Sequence, residues 1–360
     1  MAVILAARRT AVVPRGGAFQ HLSLEDLAVP VIHACLADSG VAAVDEVICA
    51  NAIGPGGNPA RRIALAAGLP LRVAGLTIDR QCAGGLDALL LAGAMVDAGQ
   101  AEVVLAGGVE SYSRRPLRLL TDPAGGPPVP YDEAPFTPWP DRNPGMAQAA
   151  ANLARDHGTS RDAQDRWAAQ SHAKAMAVAH WPEIVPLMAQ DRDPFARIMT
   201  PQLLARAKVV SGTVTAATAA VAADAAAFCV VVSDRLWRSG ALRIRSGVTC
   251  GGDPEQPGLA PVAAIAEALS RAGLAPHDVQ RAEIMEAYAA QAIACVTHAG
   301  LDPARVNVDG GALARGHPIG ASGAILAVRL FHGLTRGIGL AAIASAGGIG
   351  TALVVERSGP

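Results

Sequence analysis

Two glycine-rich turns decide how this chain folds: DRQCAGGL at Asp79–Leu86 and GGALARGHPIGASGA at Gly310–Ala324. Each leads into an apolar helical stretch and then into a strand carrying a glycine pair. From Cys82 the chain runs through Leu86–Asp97 to EVVLAGG (Glu102–Gly108), and from His317 through Ala324–Leu334 to GLAAIASAGG (Gly339–Gly348). One supersecondary unit used twice signals an internal duplication. Two similar halves related by a pseudo-twofold axis place Cys82 and His317 at equivalent positions, facing each other. No other Cys/His pair in the chain gains that geometric argument.

Outward from the first turn, the pattern alternates strand and helix. Ala2–Ala7 reads as a buried strand, Leu24–Asp38 as a helix, Val44–Ala50 as a strand, Arg61–Ala67 as a short helix and Leu76–Arg80 as a strand. Such alternation predicts a layered α/β architecture. Periodicity is lost after Arg114, where prolines cluster, and a charged helical stretch follows over Met146–Ala179. Residues 115–211 therefore read as an inserted, loop-rich subdomain. The strand AFCVVVSD (Ala227–Asp234) returns to the first half. A second half opens near Arg243, with helices at Pro261–Arg271 and Ala287–Ala299. The expected division is 1–238 and 239–360.

Bulk composition narrows the function. Hydrophobic residues make up 51% of the 360 and charged residues 17%, against a usual charged share of about 25%. That balance suits extensive buried sheet and a broad subunit interface. A net charge of −1 gives neither nucleic acid nor an anionic membrane an electrostatic handle. The six cysteines are irregularly spaced with no CxxC pair, so neither a disulfide framework nor a zinc site is expected. The apolar stretch Gly339–Val355 is broken by a glycine turn and reads as two strands rather than a membrane helix. MAVILAARRT lacks the long apolar region of a secretory signal. The expectation is a soluble, reduced, cytoplasmic protein without a bound cofactor or metal.

Cys82 lies where a strand gives way to a helix. The helix dipole and free N–H groups there favour thiolate and can hold an oxyanion. Free cysteines are most often inert and buried; the flanking glycines and the duplicated His317 turn argue for chemistry here. A neutral His317 imidazole, held between Gly316 and Pro318, can take the Cys82 proton. The pair reads as an acyl-accepting thiol and its base.

With these motifs in place, the sequence resembles the thiolase family. The likeness rests on DRQCAGGL, AGGVES (Ala106–Ser111), GTVT (Gly212–Thr215), MEAYAAQ (Met285–Gln291) and NVDGGALARGHPIGASGA (Asn307–Ala324), with AARRT (Ala6–Thr10) and GGNPARR (Gly56–Arg62) extending it over nearly the whole chain. It implies a five-layered α/β/α/β/α fold made of two similar halves. It also implies a homodimer as the minimal unit, with pairing into tetramers left open, and coenzyme A thioesters as substrates. Cys82 would carry the acyl group, His317 would activate it, and the Gly347 N–H would serve as an oxyanion donor. Met146, Glu286 and Tyr288 fall at substrate-site positions. Coenzyme A phosphate contacts would come from arginines in 190–210, with Arg192, Arg197 and Arg206 all eligible.

Three departures stand out. The family's closing CxGGG-like turn reads SAGGIG, so Ser345 stands where a cysteine serves as acid and base toward the second substrate. A hydroxyl is far less acidic than a thiol. The asparagine of the NEAF-like motif is replaced by Met285, which cannot donate a hydrogen bond; loss of one oxyanion donor costs about 10²–10³ in turnover. The TAGNASG-like run reads TAATAAV (Thr215–Val221). The expected activity is thus an acetyl-CoA acetyltransferase-like acyl transfer with a weakened Claisen step. An acyl-enzyme hydrolase, a transferase to a different acceptor and a non-catalytic partner subunit are the alternatives.

Overall fold

The computed structural model describes residues 1–358. The first half runs β1 (Ala2–Arg9), α1 (Leu24–Ser39), β2 (Glu46–Ala50), α2 (Pro59–Ala66), β3 (Leu76–Ile78), α3 (Gly84–Asp97) and β4 (Val103–Ser111). The insertion contributes α4 (Met146–Asp156) and α5 (Arg161–Ala177), after which β5 (Ala223–Ser233) closes the half. The second half runs β6 (Leu242–Gly251), α6 (Ala260–Arg271), β7 (Val279–Ile284), α7 (Ala289–His298), α8 (Ile319–Gly333), β8 (Gly337–Ser345) and β9 (Ile349–Arg357).

The strand order exposes the duplication. The first half lines up as β3-β2-β4-β5-β1 and the second as β7-β8-β9-β6. A parallel bridge between Ala282 and Val306 occupies the outer side of β7, where β3 flanks β2. Pairing is parallel for β2–β4 and β7–β8, then antiparallel for β4–β5 and β8–β9, and for β5–β1 and β9–β6. The halves meet at their equivalent strands, β1 and β6, which pair antiparallel through Val3–Arg243 and Ile4–Leu242, as a twofold relation demands.

Side-chain alternation along these strands builds the layers. On β1, Val3 and Leu5 face an outer core with Leu27, Ile32 and Ile63 of α1 and α2, whereas Ala2 and Ile4 face the middle layer. On β8, Leu340 and Ala342 face an outer core with Ile265, Leu269 and Val296 of α6 and α7, while Ala341 and Ile343 face the middle. The middle layer is α3 and α8, whose Leu86, Leu89, Ile325 and Leu326 belong to one cluster with both sheets. The five layers are helix, sheet, helix pair, sheet and helix. Strands covered on both faces read as unbroken apolar runs, which is why their sequences are rich in Val, Ala, Leu and Ile.

The glycines are where element boundaries differ from the sequence reading. Gly107 and Gly108 lie inside β4, paired with Phe228 and Ala227, instead of ending the strand. Gly84 and Gly85 begin α3, and Ile319–Gly323 belong to α8. The cause is close approach. A Cβ on Gly108 would lie 2.0 Å from the Gly320 carbonyl oxygen, one on Gly85 2.6 Å from the Ala324 nitrogen, and one on Gly323 2.4 Å from the Leu86 nitrogen. The two middle helices touch backbone to backbone, which only glycine permits. The helical stretch expected over Met146–Ala179 is two helices, interrupted at Gly158 (φ 64) and restarted by Ser160, whose hydroxyl accepts the Ala163 N–H.

Candidate active site

Cys82 sits on a single turn, Gln81–Ala83, that runs directly into α3. His317 sits immediately before α8. The duplication carries into the backbone: each is preceded by a residue at positive φ, Gln81 at 49° and Gly316 at 116°. A left-handed glutamine is costly, so the turn is held by its surroundings. The Asp79 carboxylate supplies part of that hold by accepting from the Gln81 N–H at 2.8 Å.

The fold brings the two side chains into contact, with His317 Nε2 3.2 Å from Cys82 Sγ. The tautomer follows from the hydrogen bonds behind the ring. Ser322 has one hydroxyl proton and donates it to the Pro318 carbonyl at 2.9 Å. Its oxygen must therefore accept from His317 Nδ1–H, 2.6 Å away. Nε2 is left unprotonated and faces the thiol as a hydrogen-bond acceptor. The His317 main chain is also pinned, its N–H donating to the Val221 carbonyl at 2.7 Å.

Protonation differs from the thiolate expected of a helix N-terminus. Burial pushes the Cys82 thiol up to about 12, against the N–H groups of Cys82 and Ala346, which pull it down. Burial likewise pushes the His317 imidazole down to about 4. At neutral pH the pair is thiol and neutral imidazole, because desolvation outweighs the dipole.

A cavity of about 660 Å³ opens above this pair. Ser345 and Ala346 border it from the second half, Met146, Ala149 and Leu153 from the insertion, and Tyr288 from the loop before α7. Ser345 donates its hydroxyl to the Arg80 carbonyl at 3.0 Å. Gly347 follows at φ 79°, and its N–H is not engaged by a main-chain acceptor among the described residues. The altered TAATAAV segment forms part of the wall through Ala220 and is stitched to the site loops, Ala219 bridging Tyr288 and the Ala220 N–H donating to the Ala287 carbonyl at 2.9 Å.

Of the residues singled out from sequence, Met285, Glu286, Gly347 and the arginines Arg192, Arg197 and Arg206 do not border the cavity. Met285 is 1% exposed, packs in the middle core and does not border the cavity. Glu286 is equally buried and acts as a scaffold. Its carboxylate accepts from Trp167 Nε1 at 3.1 Å, Asn307 Nδ2 at 2.8 Å, Ser171 Oγ at 2.7 Å and Leu313 N at 3.2 Å. It thereby ties α5 to the loop that carries His317.

Sequence reasoning passed over Ser322 and Glu110. Glu110 accepts from Asn51 Nδ2 at 2.8 Å, Ala52 N at 3.0 Å, Ile53 N at 3.4 Å and Gly320 N at 3.0 Å. It anchors the start of α8 to the loop after β2. Burial, working against those N–H donors, pushes its carboxyl up to about 7. Serine at the fifth position after the histidine, inside GHPIGAS, was the available signal for Ser322.

Among the described residues no cluster of three or more His, Cys, Asp or Glu is gathered to hold a metal ion. No helix among them is long and apolar enough to cross a membrane.

A chain that pairs a cysteine and a histidine from two halves of matching strand order defines a thiolase-type site. Residues 2–235 match the thiolase N-terminal domain and residues 240–357 the thiolase C-terminal domain; the chain belongs to the thiolase family. It is 38% identical to the acetyl-CoA acetyltransferase of Cupriavidus necator, covering 99% of both chains. Among solved structures it resembles the Bacillus anthracis acetyl-CoA acetyltransferase (33% identity, TM-score 0.88, 99% of this chain and 98% of that one). It also resembles the Acat5 thiolase of Ascaris suum in complex with coenzyme A (29% identity, TM-score 0.91, 99% of both).

Proposed function

We propose that this protein is an acyltransferase of the acetyl-CoA acetyltransferase type that forms an acyl-enzyme on Cys82 from a coenzyme A thioester. The observation that carries the reading is the 3.2 Å contact between Cys82 Sγ and a His317 Nε2 left free to accept a proton. As the sulfur attacks the thioester carbonyl, its proton passes to Nε2. The oxyanion is held by the N–H groups of Cys82 and Gly347. The carbonyl re-forms, the carbon–sulfur bond to coenzyme A breaks, and the imidazolium returns the proton to the departing thiolate. Met146 and Tyr288 flank the acyl group, and Glu286 holds the His317 loop in place.

The second step is weak by design of the same site. Removing an α-proton from an incoming thioester needs a base, and Ser345 offers a hydroxyl already donated to Arg80 O. Condensation is therefore slow relative to acylation, and a thiol, an alcohol, an amine or water competes as acceptor. Incubation with acetyl-CoA, followed by intact-mass and peptide analysis, tests the first step: one acetyl group on Cys82 is expected. Its absence would favour a non-catalytic subunit. Acetoacetyl-CoA thiolysis at ordinary thiolase rates would refute the weakened second step.

The working unit in this reading is a cytoplasmic homodimer. The outer edge of β3 has no strand partner among the described residues, an edge that soluble proteins cover, and Leu65, Leu71 and Leu76 are exposed at 44%, 80% and 41%. A hairpin in the insertion, Arg118–Leu120 with Val129–Tyr131, exposes Leu117, Leu119, Leu120 and Val129 and offers a second surface for pairing dimers.

A further inference from the structure

The chain has only three tyrosines, at positions 112, 131 and 288, and all three border the cavity above Cys82. Tyr112 and Tyr288 are half-buried. Burial pushes both phenols up, with Arg115 pulling against it at Tyr112, and neither hydroxyl has a hydrogen-bond partner among the described residues. Three residues on from Tyr288, Gln291 borders the same cavity and is 3% exposed. Its Oε1 accepts the Ala287 N–H at 3.2 Å, which fixes the amide and leaves Nε2 as a donor. That Nε2 is buried and has no partner among the described residues.

A buried donor without an acceptor costs about 1–3 kcal/mol, and two tyrosine side chains line the same cavity. The neighbouring wall does not answer them: Met146, Ala149, Ala150 and Leu153 are apolar. Nor does the charge around the cavity call for an anion. Arg115 is paired with Asp132 at 3.1 Å, Arg118 donates to the Ala52 carbonyl at 3.1 Å, and the Glu133 carboxylate shares the wall. The unmet demand is for an uncharged oxygen.

We propose that Gln291, together with Tyr112 and Tyr288, selects acyl groups that carry an uncharged oxygen acceptor remote from the thioester, such as a keto group along the chain, over plain alkyl acyl groups. The inference rests on acyl transfer to Cys82. An alkyl chain strips the half-buried tyrosine hydroxyls of solvent and leaves Gln291 Nε2 unpartnered, whereas an oxygenated chain offers these groups an acceptor. A site built to bond a substrate oxygen discriminates against the analogue lacking it far more sharply than an apolar pocket discriminates by size.

The test compares shape-matched thioesters: 4-oxopentanoyl-CoA with 4-methylpentanoyl-CoA, and 5-oxohexanoyl-CoA with 5-methylhexanoyl-CoA. The readout is the second-order rate of Cys82 acylation, followed by intact mass. In the wild type one oxo compound is expected to lead its partner by about tenfold or more. Gln291→Leu, and separately the pair Tyr112→Phe with Tyr288→Phe, should collapse that ratio toward one. The phenylalanine pair retains the ring volume and so guards against a folding failure in Gln291→Leu. Ratios of one or below in the wild type, or ratios untouched by both sets of variants, would overturn the selection while leaving acyl transfer intact. Failure of all four thioesters and of acetyl-CoA to acylate Cys82 would overturn the acyl-transfer reading itself.

Discussion

Ser322→Ala isolates the hydrogen bond that sets the state of His317, the base of the proposed mechanism. In the native protein the Ser322 hydroxyl donates to Pro318 O at 2.9 Å and accepts from His317 Nδ1 at 2.6 Å. Alanine removes the acceptor and leaves a buried Nδ1–H unpaired. An unpaired buried donor costs about 1–3 kcal/mol, so the productive tautomer, with Nε2 free toward Cys82, is disfavoured by about 5- to 150-fold. The ring escapes by moving its proton to Nε2, where it can no longer accept from the thiol. The rate of Cys82 acetylation by acetyl-CoA should fall by a factor in that range. Rapid-quench intact mass measures the rate, and a thermal melt confirms the fold. Acetylation within twofold of wild type in a folded Ser322→Ala protein would refute the assigned tautomer and with it the base role of His317.

Acylation should be level across neutral pH, since the imidazole is unprotonated above about 4 and the thiol protonated below about 12. A rise centred on the ordinary thiol range would instead mean that free thiolate is the reactive form. If the second step is weak for want of a thiol, as proposed, Ser345→Cys should raise acetoacetyl-CoA thiolysis by at least ~10-fold, read from loss of the substrate's absorbance. Gly108→Ala drives a methyl to 2.0 Å from Gly320 O and should cost about 1–3 kcal/mol or more in stability by denaturant melt. Glu183 is held down at about 2 by Arg9 and Arg329, against the opposing effect of burial. A lowered carboxylate contributes stability above its unfolded pKa and loses it as pH falls toward the folded value. The wild type should therefore weaken between about pH 4.5 and 2, a loss that Glu183→Gln flattens in acid melts.

The architecture was legible because it is written in two signals that survive without tertiary context. Unbroken apolar strands alternate with helices, and one turn–helix–strand unit recurs. The site was legible as far as residue type carried it, and Cys82 and His317 needed only the duplication to be paired. What the sequence concealed was depth. Met285 and Glu286 are adjacent in a motif that points to a ligand, yet both side chains are directed into the protein. Strand β7 ends at Ile284, and the next residues still hold a buried main chain. Glycine misled for a related reason. A glycine pair ordinarily marks a turn, but Gly107 and Gly108 mark a place where a helix presses against a strand, a property of the partner rather than of the segment. The protonation state of Cys82 was likewise beyond a one-dimensional reading, because burial depends on which residues arrive from the other half.

The backbone contact between α3 and α8 divides the molecule by how freely it can vary. Where Gly85 meets Ala324 and Gly323 meets Leu86, a single added methyl has no space, so the floor that holds thiol and imidazole is frozen against drift. The walls contributed by residues 115–211 carry no such constraint and are built from loops, a hairpin and short helices. Changes in what the enzyme accepts can accumulate there without disturbing how it reacts. Lineages that share the chemistry should diverge first in this insertion, and libraries aimed at new substrates belong there.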